Sequence, residues 1–190
     1  MSAIAFCNLP LLLALAGLGL ADAGSVDTAA AGAGACPAPA NQPLAFWFGH
    51  WDVYAQEKLD GRDFIERALG GCAVIEHWGD ASGFQGLSLF YFEAHARLWK
   101  QVWVTDHALA AGGLKEKTMI FSSADTVRFQ GTVWLAPDRP VLDRTTLRKL
   151  DAGRVAQTIE YSKDGGSTWT TSYAAIYRPA TAPADARPAR

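Results

Sequence analysis

The sequence lacks an excess of either charge. It contains 17 basic and 19 acidic residues, which gives a formal net charge of -2. Apart from the C-terminal tail, the basic residues are scattered along the chain. A protein that binds nucleic acid or an anionic membrane surface through electrostatics needs a basic face. We therefore predict no nucleic-acid partner.

Long apolar runs are also scarce. Residues 9–20 form the one clear run, which is too short to span a bilayer as a helix. An Ala-Asp-Ala site at residues 21–23 follows it, as in secretory signals. We predict that residues 1–23 are a cleaved signal peptide and that the mature chain is periplasmic or extracellular, without a membrane span. Because residues 1–8 contain no Lys or Arg, an N-terminal anchor or a misplaced start is the alternative.

Cysteine is rare as well. Of the three cysteines, Cys7 lies in the predicted signal peptide, which leaves Cys36 and Cys72. In an oxidising compartment this pair predicts one disulfide, worth roughly 4 kcal/mol in the loop-entropy model. Lipidation of Cys36 is a weaker alternative, because the apolar run ends far upstream. Two cysteines do not make a zinc site.

Motifs of common catalytic sites are missing. There is no Gly-x-Ser-x-Gly nucleophile elbow and no Gly-rich phosphate loop before a helix. The four histidines, which are His50, His77, His95 and His107, have no tight metal-ligand spacing. We interpret them as surface residues and predict no metal and no cofactor.

The sequence is rich in short alternating segments, with no convincing helical period. Residues 24–43 are rich in Ala, Gly and Pro and predict a linker, and residues 179–190 predict a disordered tail. Between them, residues 44–178 contain about ten strand-like segments separated by Gly, Pro and Asp turns. Closure removes exposed strand edges, so we predict an all-β domain, a single antiparallel, roughly ten-stranded up-and-down barrel.

Four motifs occur in order within this region. They are Phe46-Trp47-x-Gly49-x-Trp51-Asp52-Val53, Gly70-Gly71-Cys72-Ala73-x-x-Glu76-x-Trp78, Trp99-x-Gln101-x-Trp103-Val104 and Ser162-x-Asp164-Gly165-Gly166-x-Thr168-Trp169. Together they resemble a bacterial domain-of-unknown-function family of secreted proteins. The resemblance implies a calycin-like barrel, related to lipocalins and nitrobindins, and no established activity. Nitrobindins bind haem through a late histidine, which this chain lacks, so a haem site is not expected.

The resemblance also implies structural roles for three residues. Gly49 and Trp51 match the Gly-x-Trp that opens the first strand of lipocalin-like barrels, where the indole plugs the closed end. In those barrels a late arginine stacks on this indole, which would be Arg178 here. Such a contact is worth roughly 0.5–2 kcal/mol.

Strand alternation indicates a ligand pocket. Glu76 and Trp78 share one strand face, and Gln101 and Trp103 share another. A carboxylate and an amide among indoles suit a mostly apolar pocket with a few orienting groups. We predict that these four residues and Arg144 bind the ligand. The alternative is that Glu76 pairs with an arginine such as Arg144 in a buried network.

Asp164, Gly166 and Trp169 belong to a predicted turn. Glycine supplies the positive φ that a tight hairpin needs. The segment from Ser162 to Trp169 also resembles the Asp-box of sialidases, which is a folding device and not a catalytic motif. A calcium loop is disfavoured because further oxygen ligands are missing.

These features predict a barrel that binds a small, largely apolar molecule in a Trp-lined pocket. One alternative is a hydratase, isomerase or cyclase that uses Glu76 as acid or base. Another is a barrel whose interior is filled by tryptophan and which acts as an interaction module of the cell envelope.

Overall fold

Ten antiparallel strands make up the fold. The computed structural model describes residues 42–108 and 112–181. The strands are β1 Gly49–Ala55, β2 Lys58–Ala68, β3 Ala73–Asp80, β4 Gln85–Glu93, β5 Leu98–Thr105, β6 Leu114–Ser122, β7 Thr126–Trp134, β8 Pro140–Lys149, β9 Val155–Ser162 and β10 Thr170–Pro179. Short 3-10 turns lie at Ala45–Trp47, Leu69–Gly71 and Asp151–Gly153. Within the described ranges, no helix is long and apolar enough to cross a membrane.

The sheet closes into an up-and-down barrel. Each strand pairs with the next along the chain, and β1 pairs with β10, where Val53 lies opposite Tyr177. The predicted all-β, ten-stranded antiparallel barrel is therefore confirmed. The predicted signal peptide lies outside the described residues, as do the predicted linker up to residue 41 and the predicted tail from residue 182. Gln42, near the end of that linker, is buried and donates a hydrogen bond to the Gly71 carbonyl.

Aromatic side chains fill one end of the barrel. Trp47, in the turn before β1, is fully buried and meets the rings of Phe90 and Tyr177 edge to face, with centroids 5.8 Å apart in both cases. The indole Nε1 of Trp51 donates to the Trp47 carbonyl at 2.8 Å. Trp51 thus packs in the closed end, where the family resemblance placed it. We call this cluster of Trp47, Trp51, Phe90 and Tyr177 the plug.

Arg178 does not stack on Trp51, so that expectation was wrong. Tyr177 is buried and its ring lies 6.1 Å from that of Trp51, and successive side chains of a strand face opposite ways. Arg178 therefore points outward, where its guanidinium lies over the Tyr54 ring at 4.2 Å and pairs with Glu57.

The Asp164 segment forms the predicted turn between β9 and β10. The Asp164 carboxylate accepts hydrogen bonds from the Ser162 hydroxyl at 2.7 Å and from the backbone and hydroxyl of Thr168 at 2.9 and 2.6 Å. These bonds, led by the Thr168 hydroxyl, hold the pKa of Asp164 well below its usual range. Trp169 Nε1 donates to the carbonyl of Gly166, whose φ is +97°. The contacts are those of a folding device.

Cys72 lies directly after the turn Leu69–Gly71. Its predicted partner, Cys36, lies outside the described residues, so the disulfide between them stays a prediction.

Trp47→Ala should destabilise the barrel strongly. The substitution leaves a cavity in the plug, and truncating a buried aromatic side chain costs about 3–5 kcal/mol. Trp134→Ala is the matched control, since Trp134 is 56% exposed and its loss should change stability by less than about 1 kcal/mol. Urea denaturation monitored by circular dichroism measures both. Equal losses for the two variants would contradict this account of the plug.

Candidate functional site

A cavity of about 590 Å³ lies inside the barrel next to the plug, and Tyr177 of the plug is among its lining residues. Inward-facing residues of β3, β5, β6, β8, β9 and β10 line it, together with residues at the ends of neighbouring strands. Its polar lining residues are Asp60, Glu76, Asp80, Gln101, Thr105, Lys115, Lys117, Thr145, Gln157, Tyr161, Ser172, Tyr173 and Tyr177. The plug fills one half of the interior, so the cavity has a closed floor next to it.

Four of the predicted ligand-binding residues line the cavity. Glu76 and Gln101 are buried near the plug, while Trp78 and Trp103, two positions further along β3 and β5, lie nearer the open end. Strand alternation predicted that the members of each pair share a face, and the structure turns both faces inward. The cavity therefore has a polar floor and an indole on each of two walls above it.

Arg144 is not among the lining residues. Its neighbours Asp143 and Thr145 are buried and face the interior, so Arg144 faces outward. There it pairs with Glu160 at 3.0 Å and lies over the Trp169 ring at 3.9 Å. The structure therefore does not bring Arg144 to the ligand-binding residues predicted with it.

Two glycines make room for the indoles. A Cβ built on Gly86 would lie 2.1 Å from Cη2 of Trp103, and one built on Gly61 would lie 2.7 Å from Cη2 of Trp78. No real side chain tolerates such contacts, so each indole lies flat against a neighbouring strand that has no side chain at that point. The two glycines thus set the position of both cavity indoles.

Gln101 has a polar atom without a partner. Its Nε2 donates to Ser88 Oγ at 3.0 Å, while its buried Oε1 has no hydrogen-bond partner in the described structure. The side chain is only 8% exposed and lines the cavity. An unpaired buried polar atom costs roughly 1–3 kcal/mol, so Gln101 is held in the floor at some cost to stability.

Two buried carboxyl groups lie next to each other below the cavity floor. Asp63 and Glu76 are on the paired strands β2 and β3. Burial, and then the negative charge of Glu76, raises the pKa of Asp63 well above its ordinary value. Burial also raises the pKa of Glu76, although its polar neighbours Ser88 and Asp63 and the charges of Lys117 and Lys115 oppose the shift. The pair therefore retains a proton more readily than two exposed carboxyl groups.

Two lysines lie opposite this pair on β6 and share one carboxylate. Lys117 Nζ donates to Asp143 Oδ1 and Thr145 Oγ1, and Lys115 Nζ lies 2.9 Å from Asp143 Oδ2. Burial lowers the pKa of Lys117 to about 8; Asp143 opposes this shift and Lys115 adds to it. The site thus sets two ammonium groups against one fully buried carboxylate.

The charges at the cavity floor balance when one proton is retained; Asp60 and Asp80, which also line the cavity, lie nearer its open end. Asp63, Glu76 and Asp143 supply three carboxyl groups, and Lys115 and Lys117 supply two ammonium groups. One proton held by the Asp63–Glu76 pair leaves two negative and two positive charges. Burying an uncompensated charge is expensive, so this count agrees with the raised pKa values of the pair.

Two of the lining tyrosines donate hydrogen bonds through their hydroxyl groups. The Tyr173 hydroxyl donates to Asp60 at 2.7 Å, and the Tyr177 hydroxyl donates to Gln157 at 3.2 Å. Burial is the first cause that raises the pKa of each phenol. Both therefore act as neutral hydrogen-bonding groups.

Lys115, Lys117 and Asp143 of the polar floor were not predicted from the sequence. Lys115 and Lys117 alternate with Met119, and Asp143 alternates with Thr145 and Leu147. The apolar Met119 and Leu147, which lie at the plug end of these two alternating series, could have indicated which face of each strand points inward. That signal was weak on β6, where charged side chains occupy successive positions.

The histidines on β1 and β3 lie outside the cavity, as predicted. His50 stacks on Phe64 with ring centroids 4.2 Å apart, and His77 pairs with Glu66 at 3.0 Å. Within residues 42–108 and 112–181, no cluster of three or more His, Cys, Asp or Glu side chains is arranged to hold a metal.

Comparison with known proteins gave no match, either to a family model or to a curated protein.

Gly86→Ala should displace Trp103 from the cavity wall. The added methyl overlaps the indole, and such overpacking costs about 1–3 kcal/mol. Denaturation and tryptophan fluorescence measure the loss of stability and the moved indole. Gln85→Ala is the control on the same strand, because its side chain is exposed. An unchanged stability for Gly86→Ala would contradict this prediction, because it would show that the Trp103 indole can move away from a Cβ at position 86 at no cost.

Asp63→Asn should flatten the pH dependence of stability. Raised carboxyl pKa values mean that the native state binds more protons than the unfolded state between the ordinary and the raised pKa. The free energy of unfolding therefore falls as the pH rises through that window. Removing the Asp63 carboxyl should reduce the fall of stability above the ordinary carboxyl pKa of about 4, measured by urea titration at a series of pH values. Asp52→Asn is the control, because Asp52 lies on the outer face beside Arg62, and it should leave the pH dependence of stability unchanged. A similar flattening in this variant would contradict the role given to Asp63.

Proposed function

We propose that this protein binds a small amphipathic molecule in the barrel cavity. The observation that carries the proposal is the cavity of about 590 Å³ with indoles above a polar floor. This volume is typical of small-molecule sites. The apolar part of the ligand lies between Trp78 and Trp103, and its polar end reaches Glu76, Gln101 and Lys117.

The polar floor restricts the class of ligand that was predicted from the sequence. A largely apolar molecule would offer no polar partner to the side chains of Glu76, Gln101 and Lys117 at the floor, which is unfavourable. A ligand with a hydroxyl, amide or carbonyl group at one end would pair with these groups. The indoles then contribute affinity through apolar contact, at about 25 cal/mol per Å² buried.

The proposal includes an extracytoplasmic setting. The predicted signal peptide and the resemblance to secreted barrels support it. In that setting the barrel serves to bind or carry its ligand.

An acid–base enzyme is the second candidate. Glu76 favours it, because this carboxyl lines the cavity and burial raises its pKa toward the range in which a general acid works. Glu76→Gln separates the two functions: it should abolish turnover of a substrate if the barrel is an enzyme, and keep binding.

Binding should depend on Trp103 and not on Trp134. N-phenyl-1-naphthylamine, a neutral aromatic amine with one N–H donor, is a suitable fluorescent probe. Trp103→Ala removes about 60 Å² of contact, so affinity should fall roughly tenfold. Trp134→Ala removes an exposed indole outside the cavity and should leave the affinity unchanged.

Native mass spectrometry of the protein purified from its own cells is the companion measurement. An adduct that is lost on denaturation supports the binding proposal and gives the mass of the natural ligand. A bare chain that also fails to bind the probe would overturn the proposal and favour a barrel that acts as an interaction module.

A further inference from the structure

Lys117 is placed as a reactive group at the floor of the cavity. Its side chain is 2% exposed and lines the cavity close to the plug. A molecule that enters the open end therefore meets this amine after passing Trp78 and Trp103. The inference below rests on the proposed binding function, since it concerns what the bound molecule does there.

The hydrogen bonds of Lys117 match those of a neutral amine. A neutral amine has two N–H donors and one lone pair. Within the described structure, Nζ has two hydrogen-bond acceptors, Asp143 Oδ1 and Thr145 Oγ1. Loss of a proton thus leaves both donors satisfied and one lone pair without a partner.

Charged groups around Lys117 come from three strands. Asp143 on β8 and Glu76 on β3 favour the ammonium form, while Lys115 on β6 opposes it. The neighbouring strands β5 and β7 contribute only the neutral Gln101 and Gly131 at this level. Burial exceeds these opposing charges and brings the pKa of Lys117 to about 8. Desolvation and a second cation are known means of activating a lysine nucleophile.

We propose that Lys117 forms a reversible imine with ligands that carry an aldehyde or ketone. The Nζ lone pair forms a bond to the carbonyl carbon as the C=O π bond breaks, and the oxygen takes a proton from the Glu76 carboxyl group. The nitrogen then returns a proton to Glu76. Glu76 passes this proton to the oxygen, which leaves as water as the C=N bond forms, and Glu76 is left as a carboxylate beside the iminium.

The overall reaction balances without an oxidant or reductant. An ammonium and a carbonyl become an iminium and one water, so two protons of the ammonium leave with the oxygen. The positive charge stays on Nζ beside Asp143. The charge balance of the interior is therefore kept when the adduct forms.

Reductive trapping tests the inference. The full chain is incubated with benzaldehyde and sodium cyanoborohydride at pH 7.5, and the modified lysines are identified by peptide mass spectrometry. A pKa near 8 gives a neutral fraction on the order of 200-fold above that of an ordinary lysine. We expect Lys117 to be benzylated at least tenfold faster than the exposed Lys58 and Lys163.

Two variants separate a reactive from a merely structural lysine. Lys117→Arg keeps the cation beside Asp143 and should abolish the fast labelling. Lys115→Gln removes the second cation and should move the pH midpoint of Lys117 labelling upward, which a structural role alone would not require. If Lys117→Arg does not fold, the proposal is decided by the relative labelling rates of the lysines in the wild-type protein and by the pH dependence of Lys117 labelling in Lys115→Gln.

The outcomes distinguish the two proposals. Labelling of Lys117 no faster than that of Lys58 and Lys163 overturns the imine. If benzaldehyde then still displaces N-phenyl-1-naphthylamine, the binding function stands and the imine alone fails. If the probe does not bind and Lys117 is not labelled, both fail.

Discussion

The hydrogen bond from the Trp51 indole to the Trp47 carbonyl fixes the arrangement on which the rest of the structure depends. It ties the turn before β1 to the inside of the barrel, and the plug forms around it. A ten-stranded barrel encloses more volume than one aromatic cluster can fill. Because the plug takes up one half of the interior, the other half remains hollow. The cavity and its floor both follow from this division.

The second constraint is electrostatic. Charged side chains are rarely buried unless they are paired, yet Asp63, Glu76, Asp143, Lys115 and Lys117 lie together at the floor of this cavity. Asp143 between Lys115 and Lys117, and the proton retained by Asp63 and Glu76, make the arrangement neutral. Burial, together with the nearby Lys115, nevertheless lowers the pKa of Lys117. The chemistry proposed for Lys117 therefore arises from the way the fold buries this amine among its own charged groups.

The sequence predicted the barrel well and the site only in part. Alternation identified residues on a common face, as with Gln101 and Trp103, but it could not say which face turns inward. Arg144 was named as a charged group that could orient a ligand, without an argument from alternation, and its neighbour Asp143 holds the interior position. For Arg178 the family resemblance pointed one residue past the side chain that packs on Trp51, which is Tyr177. Hydrophobic patterning also did not predict the burial of Lys117, because a buried lysine depends on partners from strands that are distant in the sequence.

The cavity indoles have a consequence for how such a barrel could change during evolution. Trp78 and Trp103 lie against Gly61 and Gly86, two positions without a side chain. The width of the barrel interior at this level thus depends on pairs of residues on adjacent strands, each pair consisting of one tryptophan and one glycine. A change to either member alone strains the wall, whereas exchanging both would move the bulge to the neighbouring strand and reshape the opening. New ligand specificities would then arise through paired substitutions, and single changes would be selected against.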